Sequence, residues 1–344
     1  MSITDKLHEN LEEKIHELSD KIADMSLEDK LHEKVSEEKN KLHEKVSYSK
    51  LNEIPRGHAT GSITQGCLVC EGGAFRAVYG EGVLDALMLE GINMQCTIGV
   101  SAGAMNGMNY VAGQIGRSAR YNLSHRFDPN YVGGPKTIRN NKGLIGFDSV
   151  LGDVREEPFD DVFFNRNTTR YVAVVTNLED GKAHYMEKDS CDNILQAIRA
   201  SASMPFVSAP VDVEGMPCLD GGCADKIPFQ WAINQGYEKI IVVKTQPEKY
   251  RKPEQEAYDS MVNKIYGKYP NFVETFLNSN EMYNRQCDEI EKLQQQGRIF
   301  MICPSVDESV GRLESDIEKL GDWYFLGLHD MQAHMQELKE YLKK

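Results

Sequence analysis

The sequence predicts an α/β fold, a mostly parallel central sheet covered by helices on both sides, preceded by a charged helical arm. Three observations predict it. From about residue 60 onward, short apolar runs alternate with helical patterns, as parallel strands joined by crossover helices require. Residues 1 to 50 contain no Gly and no Pro, and Lys and Glu dominate them. Between these regions Pro55 and Gly57 end the helical periodicity. The expected division is an arm over 1–55 and one large domain over 56–344 that includes the C-terminal helices.

The arm repeats a short unit: Leu7-His-Glu-Asn-Leu11, Leu18-Ser-Asp-Lys-Ile22, Leu31-His-Glu-Lys-Val35 and Leu42-His-Glu-Lys-Val46. Apolar pairs at i and i+4 make a narrow stripe on a helix. A spacing of 11 residues is close to three whole turns, so the stripe hardly drifts around the axis. A continuous arm would be about 70 Å long at 1.5 Å per residue. It reads as a solvated helix laid on its own domain or self-associated with another copy. The sharper alternative is a helix lying on a lipid surface, in peripheral contact with a membrane, but the stripe lacks aromatics and the polar face is not Lys/Arg-rich.

In the large domain, GCLVC (66–70), CTIGV (96–100), TRYVAVVTNL (169–178), EKIIVVKTQ (238–246) and GRIFMICPS (297–305) read as strands. VYGEGVLDALMLEG (78–91) reads as a helix closed by Gly91, and helical patterns follow in AGAMNGMNYVAGQ and NILQAIRASAS. The last thirty residues have helical spacing and are expected over the sheet edge. The stretch 120–165 reads as loop-rich.

Composition excludes several functions. Formal net charge is −14, from 53 acidic and 39 basic residues. A surface of that balance is unsuited to wrapping nucleic acid, and as a whole it does not favour anionic lipid surfaces. A lipid held by its acyl chain is not excluded. No stretch approaches the roughly 18 apolar residues of a membrane span, and the charged N-terminus lacks the core of a secretion signal. A cytoplasmic protein is expected. Cys67 and Cys70 form a lone CxxC within a strand, where they face opposite sides; without a second pair they read as buried thiols rather than metal ligands.

Three signals carry chemistry. Gly99-Val100-Ser101-Ala102-Gly103 lies between a strand and a helix. There GxSxG forces the serine onto a tight turn at a helix N-terminus, where free amides favour negative charge. Glu71-Gly72-Gly73-Ala74-Phe75-Arg76 follows a strand and opens a helix. Its glycines can turn N–H groups toward an oxyanion. A dinucleotide cradle and a plain tight turn compete with that reading, though GxGxxG and GxxxxGK[ST] are absent. Asp220-Gly221-Gly222 holds a carboxylate on a short stem; the competing reading is an Asx turn.

Together, in this order, the signals resemble the patatin-like phospholipase family over about residues 62 to 330. The segment running from Glu71 to Leu87 is most similar to the bacterial branch that carries EGGGMRGVFTAGVLDAL. The resemblance implies a three-layer α/β/α sandwich and a serine acyl-ester hydrolase of the phospholipase A or lysophospholipase kind. It implies Ser101 as nucleophile, Asp220 as base, and Gly72, Gly73 and the Ala74 amide as oxyanion hole, with Arg76 at the family's basic position. Thr176 and Pro205 fall at structural positions of the family. No metal or other cofactor is implied, and the expected partner is a lipid or acyl-ester substrate. Two departures stand out: Ala74 replaces the third loop glycine and Ala77 the glycine after the arginine. Should Ala74 require φ > 0, its methyl costs about 1 kcal/mol in strain.

Two rivals remain from the residues alone. One is an α/β-hydrolase triad, Ser101 with an Asp and a late histidine such as His329 or His334. The other is a non-catalytic lipid-surface or scaffold protein with an altered loop. Peptidase or acyltransferase chemistry on the same two residues also stays open.

Overall fold

The computed structural model describes residues 47–128, 130–132, 138–139, 142–151, 157–253 and 259–343. The chain divides into two units, Met1–Ser49 and Lys50–Lys344. The expected arm repeats, with their reading as a lipid-surface or self-associating helix, lie in the first unit and outside the described residues.

The second unit is built on one eight-stranded sheet. Its strands are β1 (Ile63–Cys70), β2 (Asn93–Val100), β3 (Arg170–Asn177), β4 (Ala183–Glu187), β5 (Val211–Val213), β6 (Met216–Asp220), β7 (Ile240–Val243) and β8 (Phe300–Ile302). The run β8–β7–β1–β2–β3 is parallel, and β4 lies antiparallel to β3. The predicted strands are therefore present, with those around 240 and 300 shorter than the apolar runs suggested. The β-branched centres explain them: β7 is Ile-Ile-Val-Val and wholly buried, as a strand covered on both faces must be.

One feature of the sheet places the chemistry. Val174 of β3 pairs with Val100 of β2, and the next residue, Val175, pairs with Asp220 of β6. Val175 and Thr176 are paired on their other edge with His184 and Ala183 of β4. So β2 and β6 occupy the same edge of β3 in succession, and their C-terminal ends meet there.

Helices cover both faces. They are α1 (Val78–Leu89), α2 (Ala102–Val111), α3 (Arg117–His125), α4 (Phe147–Leu151), α5 (Asp161–Arg166), α6 (Ile194–Ser201), α7 (Phe229–Asn234), α8 (Asp259–Tyr266), α9 (Pro270–Leu277), α10 (Ser279–Gln295), α11 (Ile317–Ala333) and α12 (Met335–Lys343). On one face Cys67, Val69, Ile98 and Val172 pack with Phe229, Tyr283 and Ile290 from α7 and α10. α1 is buried from Val78 to Met88, which explains its lack of a polar face.

α1 packs against α11 with almost no space between backbones. A Cβ placed on Gly327 would lie 2.0 Å from the Tyr79 carbonyl oxygen, and one on Gly82 would lie 2.1 Å from that of Tyr324. Two hydrogen bonds tie the pair reciprocally: the Tyr79 hydroxyl donates to Asp330 at 3.0 Å and the Tyr324 hydroxyl to Asp85 at 2.7 Å. α12 also reaches the sheet, where the Ile240 amide of β7 donates to the Tyr341 hydroxyl at 2.8 Å.

The stretch read as loop-rich holds α3, α4 and α5 among its described residues. α3 was hidden because two of its inward residues are arginines. Arg117 and Arg120 are buried, and Arg120 is neutralised by Glu157 at 2.5 and 2.9 Å. A paired cation fills a core position that hydropathy assigns to solvent.

Gly327→Ala is expected to lower the unfolding free energy by about 1–3 kcal/mol, the usual penalty of overpacking, because the obstruction is backbone and cannot rotate away. Denaturant titration of the two proteins measures it; equal midpoints would show that α11 can shift freely.

Candidate active site

Ser101 stands between β2 and α2 with φ 56° and ψ −129°, a backbone conformation that non-glycine residues rarely adopt. Its neighbours make that turn sterically feasible. A Cβ on Gly99 would lie 2.3 Å from the Gly103 carbonyl oxygen, and one on Gly103 would lie 2.3 Å from that of Cys70. Both glycines of the motif are thus required by backbone contacts. The Ser101 amide donates to the Ser201 hydroxyl at 2.8 Å, which ties the turn to the end of α6.

The Ser101 hydroxyl donates to Asp220 Oδ2 at 2.7 Å. The other carboxylate oxygen, Oδ1, accepts from the Gly222 amide at 2.8 Å. The Asp220 backbone is fixed as well: its amide donates to the Ser203 carbonyl at 2.9 Å and its carbonyl accepts from the Thr176 hydroxyl at 2.9 Å. Thr176 therefore holds the aspartate in place without touching the serine. The side-chain bond from Gly222 is the Asx geometry expected of Asp-Gly, so that reading and a chemical role coexist in one residue.

Burial is the main influence on Asp220 and pushes its carboxyl above the ordinary range; the bonds from Ser101 and Gly222 and the charges of Lys226 and Arg312 pull the other way. A carboxylate so placed is a stronger base than one in water. His334 Nδ1 lies 2.9 Å from the Asp330 carbonyl, and His329 faces the Phe325 ring at 6.0 Å between centroids. Neither histidine bonds to Ser101 or Asp220.

The Gly-rich loop lies directly over the serine. A Cβ on Gly72 would be 2.8 Å from Ser101 Cβ, so only glycine fits there. Gly73 has φ 152° and Ala74 has φ 52°; the alanine that departs from the family's glycine does occupy the left-handed region. Among the described residues the amides of Gly72, Gly73 and Ala74 have no acceptor. Arg76 sits in the single turn that follows, with its carbonyl bonded by Trp323 Nε1 at 2.9 Å.

Sequence reasoning missed the residues that hold this loop. Thr245, just beyond β7, donates its hydroxyl to the Gly72 carbonyl at 2.8 Å and its amide to Glu71 at 2.6 Å. Phe75 donates its amide to the Arg312 carbonyl at 3.1 Å. The only sequence signal was position: Thr245 follows the C-terminal end of a parallel strand, where such sites gather.

A cavity of about 60 Å³ opens beside Ser101, walled by Ala74, Met105, Tyr121, Ile145 and Leu313 and also by the buried Arg117. Glu81 lines it too; burial, then Asp85, holds its carboxyl well above the usual range.

Residues 68–233 match the model of the patatin-like phospholipase family. The matched part, just under half of the chain, is a patatin-like phospholipase domain. The match ends at 233, short of the expected 330, and residues 269–343 match a separate domain of unknown function, DUF6363. The chain is 29% identical over 194 residues to the uncharacterized protein YjjU of Escherichia coli, covering 52% of each. It is 30% identical over 164 residues to an uncharacterized NTE family protein of Mycobacterium bovis, covering 46% of this chain and 42% of that one. It thus spans about half the length of these relatives. Crystalline VipD from Legionella pneumophila superposes with a TM-score of 0.39 at 13% identity, over 83% of this chain and 67% of that one.

Ala74→Gly should leave stability unchanged or raise it by up to about 1 kcal/mol, since relief of the left-handed strain offsets glycine's extra chain entropy. Chemical denaturation checks this, and a clear loss of stability would show that the methyl makes contacts that matter more than the strain.

Proposed function

We propose that this patatin-like chain is a serine acyl-ester hydrolase acting on lipid esters, with Ser101 as nucleophile and Asp220 as general base. The observation that carries the reading is the 2.7 Å bond from the Ser101 hydroxyl to Asp220 Oδ2, beside the cavity that Ser101 lines. Asp220 takes the hydroxyl proton as Oγ bonds to the ester carbonyl carbon. Negative charge develops on the carbonyl oxygen beneath the amides of Gly72, Gly73 and Ala74, which have no acceptor among the described residues. The tetrahedral species then breaks its bond to the alcohol oxygen, which receives the proton from Asp220. Water completes the cycle: Asp220 accepts a proton from it, hydroxide attacks the acyl-serine, and Ser101 regains its proton as the acid departs.

No step in this scheme needs a metal or an imidazole. A carboxylate is ordinarily too weak a base for a serine, and its burial offsets part of that weakness by raising its pKa. Among the described residues no helix is long and apolar enough to cross a membrane.

Ser101→Ala should lower hydrolysis of a nitrophenyl acyl ester by about 10³-fold or more, as loss of a nucleophile does, and abolish labelling by a fluorophosphonate. Unlabelled wild-type protein, or undiminished turnover in the variant, would refute the assignment and favour the scaffold reading.

The pH profile follows from the direction of the Asp220 shift. Its base form is lost as pH falls, so kcat/KM should decline on the acid side with a midpoint above the ordinary 3.8. Asp220→Asn should remove that limb together with most activity. A midpoint at or below 3.8 would mean that burial does not control the base.

A further inference from the structure

The protein carries a formal charge of −14, yet Arg76, Arg312 and Lys226 border the Gly-rich loop and the Asp220 turn, and Lys252 feels the charges of all three. Arg76 follows the Gly-rich loop. Arg312 is held beside the loop by the bond from the Phe75 amide to its carbonyl. Lys226 donates to the Gly222 carbonyl at 2.5 Å, two residues beyond Asp220. Lys252 places its ammonium 4.7 Å from the centroid of the Tyr283 ring and 5.8 Å from that of Tyr250.

Their side chains lie apart from the cavity beside Ser101. Phe75, Ala77 and Leu313 line that cavity, whereas their neighbours Arg76 and Arg312 do not. The loop 74–77 and the segment around 312 thus turn Phe75, Ala77 and Leu313 toward the cavity, which also holds the buried Arg117, and leave Arg76 and Arg312 outside it. Among the described residues none of the four forms an ion pair with a carboxylate. Arg76 Nε is buried without a hydrogen-bond partner.

The nearby carboxylates are already engaged. Glu71 accepts from the Thr245 amide and Asp220 from Ser101 and Gly222. Burial, and then the charges of Arg312, Lys226 and, more weakly, Arg76, pulls Lys252 down to about 7, with Glu71 opposing. Burial, then Arg312, likewise lowers Arg76. Like charges held this close repel one another, and an entering anion relieves the repulsion.

We propose that Arg76, Lys226, Lys252 and Arg312 form a headgroup subsite selecting acyl esters that carry a phosphate monoester dianion near the scissile bond. This rests on the hydrolase reading above. A dianion matches several neighbouring cations better than a zwitterion does. Neither Tyr ring nearby is open to a quaternary ammonium: Tyr283 is fully buried, and Lys252 itself faces both Tyr250 and Tyr283.

The test uses the full chain and three esters of one acyl chain: lysophosphatidate, lysophosphatidylcholine and monoacylglycerol. Wild-type kcat/KM is expected to favour lysophosphatidate over each of the others by about 30-fold, two or more charge-assisted contacts acting together. Lys252→Gln with Arg312→Gln should cut both preferences by about tenfold, chiefly through KM, and Lys252→Arg alone should keep them. Equal turnover of the three esters by wild type, or preferences unmoved in a double variant with wild-type thermal stability, would overturn the subsite while leaving the hydrolase intact. Should the double variant fail to fold, Lys252→Gln alone must lower the preferences or the subsite falls. Calorimetry with inorganic phosphate decides the anion site independently of turnover. Binding lost in the variant supports it even if no ester is cleaved and the hydrolase reading fails, and no binding to wild type overturns it. Phosphate binding without ester preference would mean a site for the free anion, which also sinks the headgroup assignment.

Discussion

The pairing of β3 is the constraint on which the rest of the site depends. Val174 and Val175 are adjacent, yet on one edge they bond to strands that arrive from different directions, β2 ending at Val100 and β6 ending at Asp220. The residue after Val100 is Ser101, so the two side chains are brought together by backbone register, across a sequence separation of 119 residues. The sheet supplies rigidity that loops would not, and Thr176 on β3 reinforces it by bonding the Asp220 carbonyl. A one-residue slip of β6 would turn the aspartate to the other face.

A second layer of support comes from outside the residues matched to the patatin-like family. Arg312 and Trp323, both within 269–343, bond the backbone of the turn at 75–76. α11, which carries Trp323, is fixed to α1 by close glycine contacts and two Tyr–Asp bonds. The C-terminal region thus serves as a brace for the Gly-rich loop. That loop contains a strained alanine at φ 52°, and such strain persists only where surrounding structure over-determines the conformation.

Electrostatics varies across the site. Buried Glu81 is held toward its neutral form on the cavity wall, which also holds the buried Arg117, while Arg76 and Arg312 stand outside the cavity. Asp220 is raised by burial and restrained by Lys226 and Arg312. These cations are invisible in the overall charge, because the excess of acid is spread over the whole chain while Lys252 feels the charges of Arg76, Lys226 and Arg312.

The sequence by itself determined the strand and helix alternation, the resemblance to the patatin-like family, and the candidates Ser101, Asp220, Gly72, Gly73, Ala74 and Arg76. Those signals are local: β-branched runs, a serine flanked by glycines, an aspartate before two more. It did not reveal α3, whose buried Arg120 is paired with Glu157 and whose buried Arg117 bonds the backbone at 150, 157 and 158, nor Thr245, Ser201, Lys226, Lys252 and Arg312 around the site. Their roles consist of contacts between segments tens to hundreds of residues apart, and ordinary Thr, Ser, Lys and Arg carry no local pattern that marks such contacts. Only the tertiary structure decided that Ala74 has positive φ and that serine meets aspartate directly, because both depend on how separate strands register against β3 and how the C-terminal helices press on the loop.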